Sequence, residues 1–258
     1  MDFLFSADAL VALITLTFLE IVLGIDNVIF ISIVTGKLPQ DQRKKATRVG
    51  LFLAMFLRIA LLLGISVLIK LKDPLISVDW GWFSAHFNGQ ALILLAGGVF
   101  LLYKYTREIH AKVNHIEHVT ESDNPQRKQH ASFGGVVAQI LLIDLIFSLD
   151  SILTAVGMTN GLGGAIYIMI TAVVLSVGIM MLFANPVGEF VNRNPSIQIL
   201  ALSFLILIGF MLITESMHLS EAVLAGQEVG AVPKGYLYFA IAFSLGVEFL
   251  NMRMRRKS

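Results

Sequence analysis

Long apolar runs alternate with short polar segments along the whole chain. Seven runs have about 19 to 26 residues, the length that an α-helix needs to cross the hydrocarbon core of a bilayer. The segments between them, such as TGKLPQDQRKK, KDPLISVDWGW, TNGLGG and NPVGEFVNRNPS, contain the Gly, Pro and Asn residues that interrupt helices. The pattern therefore predicts an all-α membrane protein with seven transmembrane helices, over 9–34, 47–69, 89–107, 133–157, 161–184, 197–217 and 234–252.

The positions of Lys and Arg predict how these helices are oriented. Fifteen of the 19 basic residues fall on one side of the membrane, whereas Lys70, Lys72 and Lys234 fall on the other and Arg58 lies inside a span. Because cytoplasmic segments carry the excess of basic residues, we expect the N-terminus outside and the C-terminus in the cytoplasm. The net charge is only +1, so nothing in the charge indicates nucleic-acid binding.

Two of the apolar runs carry the same arrangement of acidic residues. The stretch LEIVLGIDNVIF begins at residue 19 and the stretch IDLIFSLDSILT begins at residue 143. When they are aligned, four pairs correspond: Glu20 with Asp144, Gly24 with Ser148, Asp26 with Asp150, and Asn27 with Ser151. The ends of the third and sixth helices also match, and there Lys104 aligns with Glu215, a reversal of charge.

This internal similarity predicts an inverted repeat. Three helices separate the two copies, and three is an odd number, so the second copy enters the membrane from the opposite face. Secondary transporters are commonly built in this way, with their substrate site near the midplane. We expect a first three-helix repeat over 9–107, a cytoplasmic linker over 108–132, a second three-helix repeat over 133–217 and an additional helix over 234–252.

Buried charge gives the strongest indication of function. Glu20, Asp26, Asp144 and Asp150 each cost about 2.5–3.5 kcal/mol at the centre of a transmembrane helix. Arg58 is the one basic residue at mid-membrane depth, and as a counter-ion it can neutralise one acid or bridge two. The remaining acids must be protonated or must hold a cation. The alternative is a structural role, in which the acids pair with Arg58 and with neighbouring polar groups.

Helical periodicity separates the two acids of each copy. Positions i and i+7 share a face, whereas i and i+6 lie about 120° apart. Glu20 therefore shares a face with Asn27 while Asp26 points elsewhere, and the second copy repeats this arrangement. Either the two acids of a copy meet different neighbours, or the helix loosens near Gly24 and Ser148 and exposes backbone carbonyls to a cation.

The candidate metal ligands offer oxygen atoms alone. The chain has no cysteine, and its six histidines fall in loops or at helix ends. Hard oxygen ligands suit Mn²⁺, Mg²⁺ or Ca²⁺ and argue against Zn²⁺ or copper. We expect a transported divalent cation, protons as a candidate coupling ion, and no fixed cofactor. The predicted ligands are Glu20, Asp26, Asn27, Asp144, Asp150 and Ser151.

Four further polar residues are weaker candidates. Lys104 and Glu215 lie near opposite mouths of the bundle, as gates or as interface residues. Glu248 and Asn251 lie on one face of the last helix, as an ion vestibule or as side chains that reach the membrane surface.

Four stretches resemble the TerC family of integral membrane proteins: LEIVLGIDNVIF, LLAGGVFLLYKYTREIH, LLIDLIFSLDSILTAVG and LALSFLILIGFMLITES. The resemblance runs from about residue 9 to residue 252, and it is closest to short bacterial members that lack appended cystathionine-β-synthase and transporter-associated domains. It implies membership among LysE-type exporters, residence in the bacterial inner membrane, Mn²⁺ efflux from the cytoplasm and an association with tellurium resistance. The family's motif acids correspond to Glu20, Asp26, Asp144 and Asp150, with Asn27 in the usual polar position.

Two other classes of function compete with an exporter. Other members of the family are linked to supplying metal to exported proteins, which makes a membrane partner of secretion the alternative. An intramembrane aspartyl protease would use two aspartates such as Asp26 and Asp150. The chain lacks the Gly-x-Gly-Asp form of those enzymes and contains additional acids. We therefore expect no enzyme.

Overall fold

The protein is a bundle of long helices with a small β-sheet. A computed structural model describes residues 6–64, 73–118, 131–159 and 162–255. Within these ranges, seven helices are long and apolar enough to cross a membrane, which confirms the predicted fold class. They are α1 (Ala7–Thr35), α2 (Gln40–Leu63), α3 (Gly89–His118), α4 (Phe133–Thr159), α5 (Ala165–Arg193), α6 (Pro195–Leu219) and α7 (Lys234–Arg255). The orientation and the inverted repeat stay predictions.

Three helices extend well beyond the predicted apolar runs. Helix α2 begins at Gln40 instead of residue 47, α3 continues to His118 instead of residue 107, and α5 continues to Arg193 instead of residue 184. Part of the predicted linker 108–132 is therefore helical. Hydropathy detects the part of a helix that suits lipid, whereas charged helix-forming residues carry the same helix on into water.

The proline within α5 does not end that helix. Pro186 lacks the N–H that would close a helical hydrogen bond, and the sequence therefore suggested a loop. Beyond it, however, Gly188 and Val191 are buried, and Gly188 lies close to Ser32 of α1. Packing against a neighbouring helix compensates for a proline within a transmembrane segment.

The segment KDPLISVDWGW was predicted as a loop, but most of it belongs to a β-hairpin. Strand β1 (Pro74–Asp79) pairs antiparallel with β2 (Phe83–Asn88), with Val78 opposite Ala85. Gly81 permits the turn with φ of +77°, and its N–H donates to Asp79 Oδ1 at 3.0 Å. Two short strands, β3 (Val223–Leu224) and β4 (Gln227–Glu228), extend the sheet in the order β1-β2-β3-β4.

The helices form two compact units. The first contains α1, α2, α4 and α5, and the second contains α3, α6, α7 and the sheet. In the first unit α1 runs parallel to α5, since Gly24 lies against Met180 and Gly36 lies against Asn192. Both units therefore take helices from each of the two predicted repeats.

In the second unit α3 and α6 are antiparallel and very close. Ser216 donates to the carbonyl oxygen of Ala91 at 2.7 Å, and further along the pair Gly98 faces Gly209. Small residues at a crossing let two helix backbones approach one another within a membrane. Beside this pair, Ala85 and Ala222 belong to a small core under the sheet.

Candidate functional site

Three charged side chains form a buried ion triad within the first unit. Arg58 of α2 donates from Nη1 to Oε2 of Glu20 on α1, at 2.5 Å. It also donates from Nη2 to Oδ1 of Asp144 on α4 at 2.5 Å and from Nε to Asp144 Oδ2 at 3.1 Å. The exposed fractions of Glu20, Arg58 and Asp144 are 5%, 4% and 7%. A single guanidinium therefore faces two carboxyl groups within the triad.

The shape of the arginine side chain explains why one residue can hold two acids. Guanidinium presents five N–H groups in a fixed plane, and its two edges can serve different carboxylates. Asp144 takes the Nε and Nη2 edge in a fork geometry, and Glu20 takes Nη1. Among the residues that the structure describes, Arg58 is the only Lys or Arg that is buried.

Neutral polar groups complete the surroundings of Asp144. Asn27 donates from Nδ2 to Asp144 Oδ1 at 3.3 Å. The hydroxyl of Ser148 lies 2.6 Å from the carbonyl oxygen of Asp144 and 3.3 Å from its Oδ2. Ser151 donates to the carbonyl oxygen of Ser148 at 3.3 Å. Every one of these side chains is buried, so hydrogen bonds take the place of water around the carboxylate.

Ser148 is a member of this cluster that the sequence pattern did not identify as a site residue. The alignment with Gly24 indicates this position only as a place where the helix loosens. The signal was nevertheless in the sequence: a hydroxyl four residues after Asp144 lies on the same face of a helix.

The helices that carry the triad are continuous. Both α1 and α4 stay helical through Gly24 and Ser148, so the structure contradicts the alternative in which the helix loosens there. Gly24 serves packing instead. A Cβ atom at position 24 would lie only 2.2 Å from Sδ of Met180, so the glycine lets α5 approach α1 next to the ion triad.

The space beside Glu20 is almost closed. A void of about 10 Å³ is lined by Glu20, Leu16, Leu62 and Met169 among others. Such a space has room for at most about one water molecule, and it is too small for a hydrated divalent cation. The arrangement in which Arg58 holds both acids is therefore closed to an ion on this side of Glu20.

Two oxygen atoms near the triad lack partners among the described residues. They are Oδ1 of Asn27 and Oγ1 of Thr17, both buried on α1. Buried polar atoms are almost always hydrogen-bonded to protein or to ordered water. Thr17 lies one turn before Glu20, so it stands on the same face of α1. Both atoms are oxygen acceptors of the kind that hard cations prefer.

The second acid of each predicted pair falls outside the described side chains. The backbone of Asp26 lies within α1 and that of Asp150 within α4, but their side chains are not part of the described structure. Among the side chains that are described, no three Asp, Glu or His residues come close enough to hold a metal ion. Glu20 and Asp144 bind arginine in this arrangement.

The four weaker candidates all belong to the second unit. Lys104 lies over the rings of Phe100 and Tyr105, with its Nζ 5.3 Å and 5.8 Å from their centroids. Because α3 and α6 are antiparallel, Lys104 and Glu215 lie toward opposite ends of that pair.

On α7 the predicted pair of polar residues is in contact. Asn251 Nδ2 lies 3.5 Å from Glu248 Oε2. The other carboxylate oxygen of Glu248 is buried and has no partner among the described residues. Their role as a vestibule stays a prediction.

Comparison with known proteins identifies similar chains along almost the full length. The profile described as "Integral membrane protein TerC family" matches residues 5–258. A "UPF0053 protein" of Haemophilus influenzae is 45% identical over 255 residues, which are 99% of this chain and 98% of that protein. The "UPF0053 inner membrane protein YgdQ" of Escherichia coli K12 is 46% identical over 251 residues, 97% of this chain and 95% of that protein.

Longer proteins contain a similar segment. The "UPF0053 inner membrane protein YoaE" of Escherichia coli K12 is 42% identical over 256 residues, which are 99% of this chain but only 45% of that protein. No solved structure matches.

Proposed function

The chain belongs to the TerC family of integral membrane proteins, and on that premise we propose that it transports a divalent metal cation across the inner membrane, which it spans several times. The substrate that we propose first is Mn²⁺, exported from the cytoplasm, with Ca²⁺ and Mg²⁺ as the alternatives of similar chemistry. The observation that carries the proposal is the buried triad, in which one arginine holds two acids from the two helices that share the acid spacing.

Arg58 would act as a cation that is tethered to the protein. Two buried carboxyl groups cannot both stay ionised side by side without a positive charge, because the low dielectric makes their repulsion large. Arg58 supplies that charge in the described arrangement. A divalent ion of charge +2 could replace it between Glu20 and Asp144. A carrier built in this way returns with Arg58 held between its two acids.

The second pair of acids would receive the displaced arginine. Asp26 and Asp150 each lie six residues after an acid of the triad, on a helix face about 120° away. With the metal held by Glu20 and Asp144, the guanidinium needs another anion, and these aspartates are the nearest acids along α1 and α4. Protons that bind the same acids would compete with the metal, which provides a coupling ion.

Oxygen ligation supports a hard cation as the substrate. Carboxylates from Glu20 and Asp144 and the free amide oxygen of Asn27 are oxygen donors, and Ser148 and Ser151 add hydroxyls nearby. Mn²⁺, Mg²⁺ and Ca²⁺ accept such ligands, whereas Zn²⁺ and copper favour nitrogen and sulfur. Because oxygen donors suit all three ions, a direct comparison of their fluxes decides among them.

Cellular metal content tests this proposal. The protein is produced in a bacterium that lacks its own manganese exporters, and cell-associated Mn is measured by mass spectrometry after growth in excess Mn²⁺. We expect several-fold less Mn with the wild-type protein than with an empty vector. Glu20→Gln and Asp144→Asn should resemble the empty vector, because each removes an anionic ligand and keeps the side-chain size.

The matched control is Glu228→Gln, the same chemical change at an exposed position of β4. Membrane abundance of all variants is compared by immunoblot. Unchanged cell Mn with the wild-type protein would overturn the transport proposal. If metal loading of a secreted Mn-dependent enzyme still depended on the chain, that result would instead favour the role of a partner that supplies metal to exported proteins.

A further inference from the structure

A polar cavity, separate from the void beside Glu20, lies at one end of the first unit. Along the helix axes it is distant from the ion triad. Its volume is about 730 Å³, within the range of sites that hold small organic ligands. It lies where α1 and α5 end and α2 begins. Thr35, Thr47, Ala184 and Gly188 are buried, while the other side chains that line the cavity are half-buried or exposed.

Three basic and two acidic side chains line this cavity. Lys44 and Glu189 offset each other, because Lys44 Nζ lies 3.2 Å from Glu189 Oε1. The basic residues that remain are Arg43 and Arg193, against the single carboxylate of Asp41. The cavity therefore keeps a positive balance and favours an anionic ligand.

The two arginines are free to bind a ligand. Arg43 donates from Nε to the carbonyl oxygen of Leu38 at 2.9 Å. That bond holds the side chain in place and leaves its two terminal nitrogens without partners among the described residues. Arg193, in the last turn of α5, has no hydrogen bond or ion pair among them either. Guanidinium groups pair with phosphate through two parallel N–H···O bonds.

Neutral groups of the cavity suit the rest of such a ligand. The amide of Asn185 has no hydrogen-bond partner among the described residues, and the first turn of α2 has no side-chain cap at Pro39. Uncapped N–H groups at the start of a long helix add donors and a favourable dipole for an anion. The volume of the cavity leaves room for more than a bare oxyanion.

We propose that this cavity binds a phosphate group through Arg43 and Arg193, carried either by an anionic phospholipid headgroup or by a soluble phosphate ester. The six basic residues Lys37, Arg43, Lys44, Lys45, Arg48 and Arg193 lie at the same end of the unit. The charge distribution predicts that this end is cytoplasmic, where anionic headgroups and soluble phosphate esters are both present. The bound ligand would connect the beginning of α2, which carries Arg58, to the end of α5.

Native mass spectrometry of the detergent-purified full chain tests the proposal. The probes are short-chain phosphatidylglycerol, glycerol 3-phosphate, and a dioctanoylglycerol that lacks phosphate. We expect one phosphate-bearing ligand per chain, with an affinity about tenfold or more weaker in Arg43→Gln and in Arg193→Gln, because each loses charge-assisted hydrogen bonds. Arg48→Gln is the control, since this exposed arginine of α2 does not line the cavity.

The probes also separate the two sources of phosphate. Binding of phosphatidylglycerol alone identifies a lipid site, and equal binding of glycerol 3-phosphate identifies a site for soluble esters. Equal retention of the phosphate-free lipid would overturn the proposal, as would unchanged phosphate binding in both variants. The loss of the bond to Leu38 could prevent the Arg43→Gln protein from folding. In that case the Arg193→Gln variant alone decides the test, because the side chain of Arg193 is exposed. Metal flux does not enter any of these measurements.

Discussion

At the scale of residues, the decisive feature is that one buried arginine serves two acids. If Arg58 is replaced by Gln, Glu20 and Asp144 lose their ion pairs. We expect the free energy of unfolding to fall by about 3–5 kcal/mol, because buried charges are left uncompensated. Added Mn²⁺ should restore part of the loss, since a divalent cation can take the place of the guanidinium. Thermal unfolding in detergent, with and without Mn²⁺, measures both effects.

Two further variants make that experiment specific. Arg58→Lys keeps the charge but cannot make the forked contact with Asp144, so we expect an intermediate loss of stability. Arg48→Gln removes an exposed arginine of the same helix and should change little. An Arg58→Gln protein that is as stable as the wild type, or that gains no more from Mn²⁺ than the wild type does, would contradict the tethered-cation account.

The sequence predicted the members of this cluster better than their contacts. The free-energy cost of a charged side chain in a membrane singled out Glu20, Asp144 and Arg58. Such residues are rare in transmembrane segments and are paired or functional where they occur. It did not determine which acids the arginine would meet. That choice depends on how α1, α2 and α4 pack against one another, and the period of a single helix contains no such information. Ser148 was missed because its partner is on its own helix and not in the other copy.

At the scale of elements, the cores of the helices could be predicted and several of their ends could not. Apolar length located all seven helices of the described chain. The charged extension of α3 and the proline within α5 lie outside what hydropathy measures. The hairpin of β1 and β2 was missed because its six-residue strands are too short to give a strong pattern and lie next to Gly81 and two tryptophans.

The crossing of α3 and α6 supplies a prediction about packing. A Cβ atom at Gly98 would lie 2.6 Å from the carbonyl oxygen of Gly209 and 2.7 Å from Cγ1 of Ile213. We therefore expect Gly98→Ala to lower the free energy of unfolding by about 1–3 kcal/mol, because the helices must move apart. Reversible unfolding in mixed detergent micelles gives the value.

A glycine in open surroundings is the control for that variant. Gly246 lies within α7, and no atom lies within 4 Å of the Cβ position that alanine would add there. Gly246→Ala should be neutral or more stable by up to about 1 kcal/mol, since alanine favours a helix. Equal effects of the two substitutions would contradict the close crossing.

At the scale of the whole molecule, the two compact units cut across the order of the sequence. The first unit joins α1 and α2 to α4 and α5, which are far apart along the chain. The repeat in the sequence suggested that the two halves would share a site, and the triad does join α1 and α2 to α4. Which helices pair beyond that is decided by complementary surfaces, such as Gly24 against Met180, that become visible only in three dimensions.

The predicted orientation can be tested because the chain has no cysteine. Single cysteines are introduced at the exposed positions Glu228 and Lys45, and intact cells are treated with a membrane-impermeant maleimide. From the distribution of basic residues, we expect Glu228→Cys to be labelled in intact cells and Lys45→Cys only after permeabilisation. The opposite pattern would reverse the orientation, and with it the direction assigned to transport.

Flux in vesicles that contain only this protein tests the central claim most directly. Purified protein is reconstituted into liposomes with a metal-sensitive dye inside, and Mn²⁺, Ca²⁺ and Mg²⁺ are added outside in separate runs. The account predicts Mn²⁺ entry that exceeds that of protein-free vesicles, that is lost in Asp144→Asn, and that persists in Glu228→Gln. Fluxes of all three ions equal to those of protein-free vesicles, at verified protein content, would contradict it.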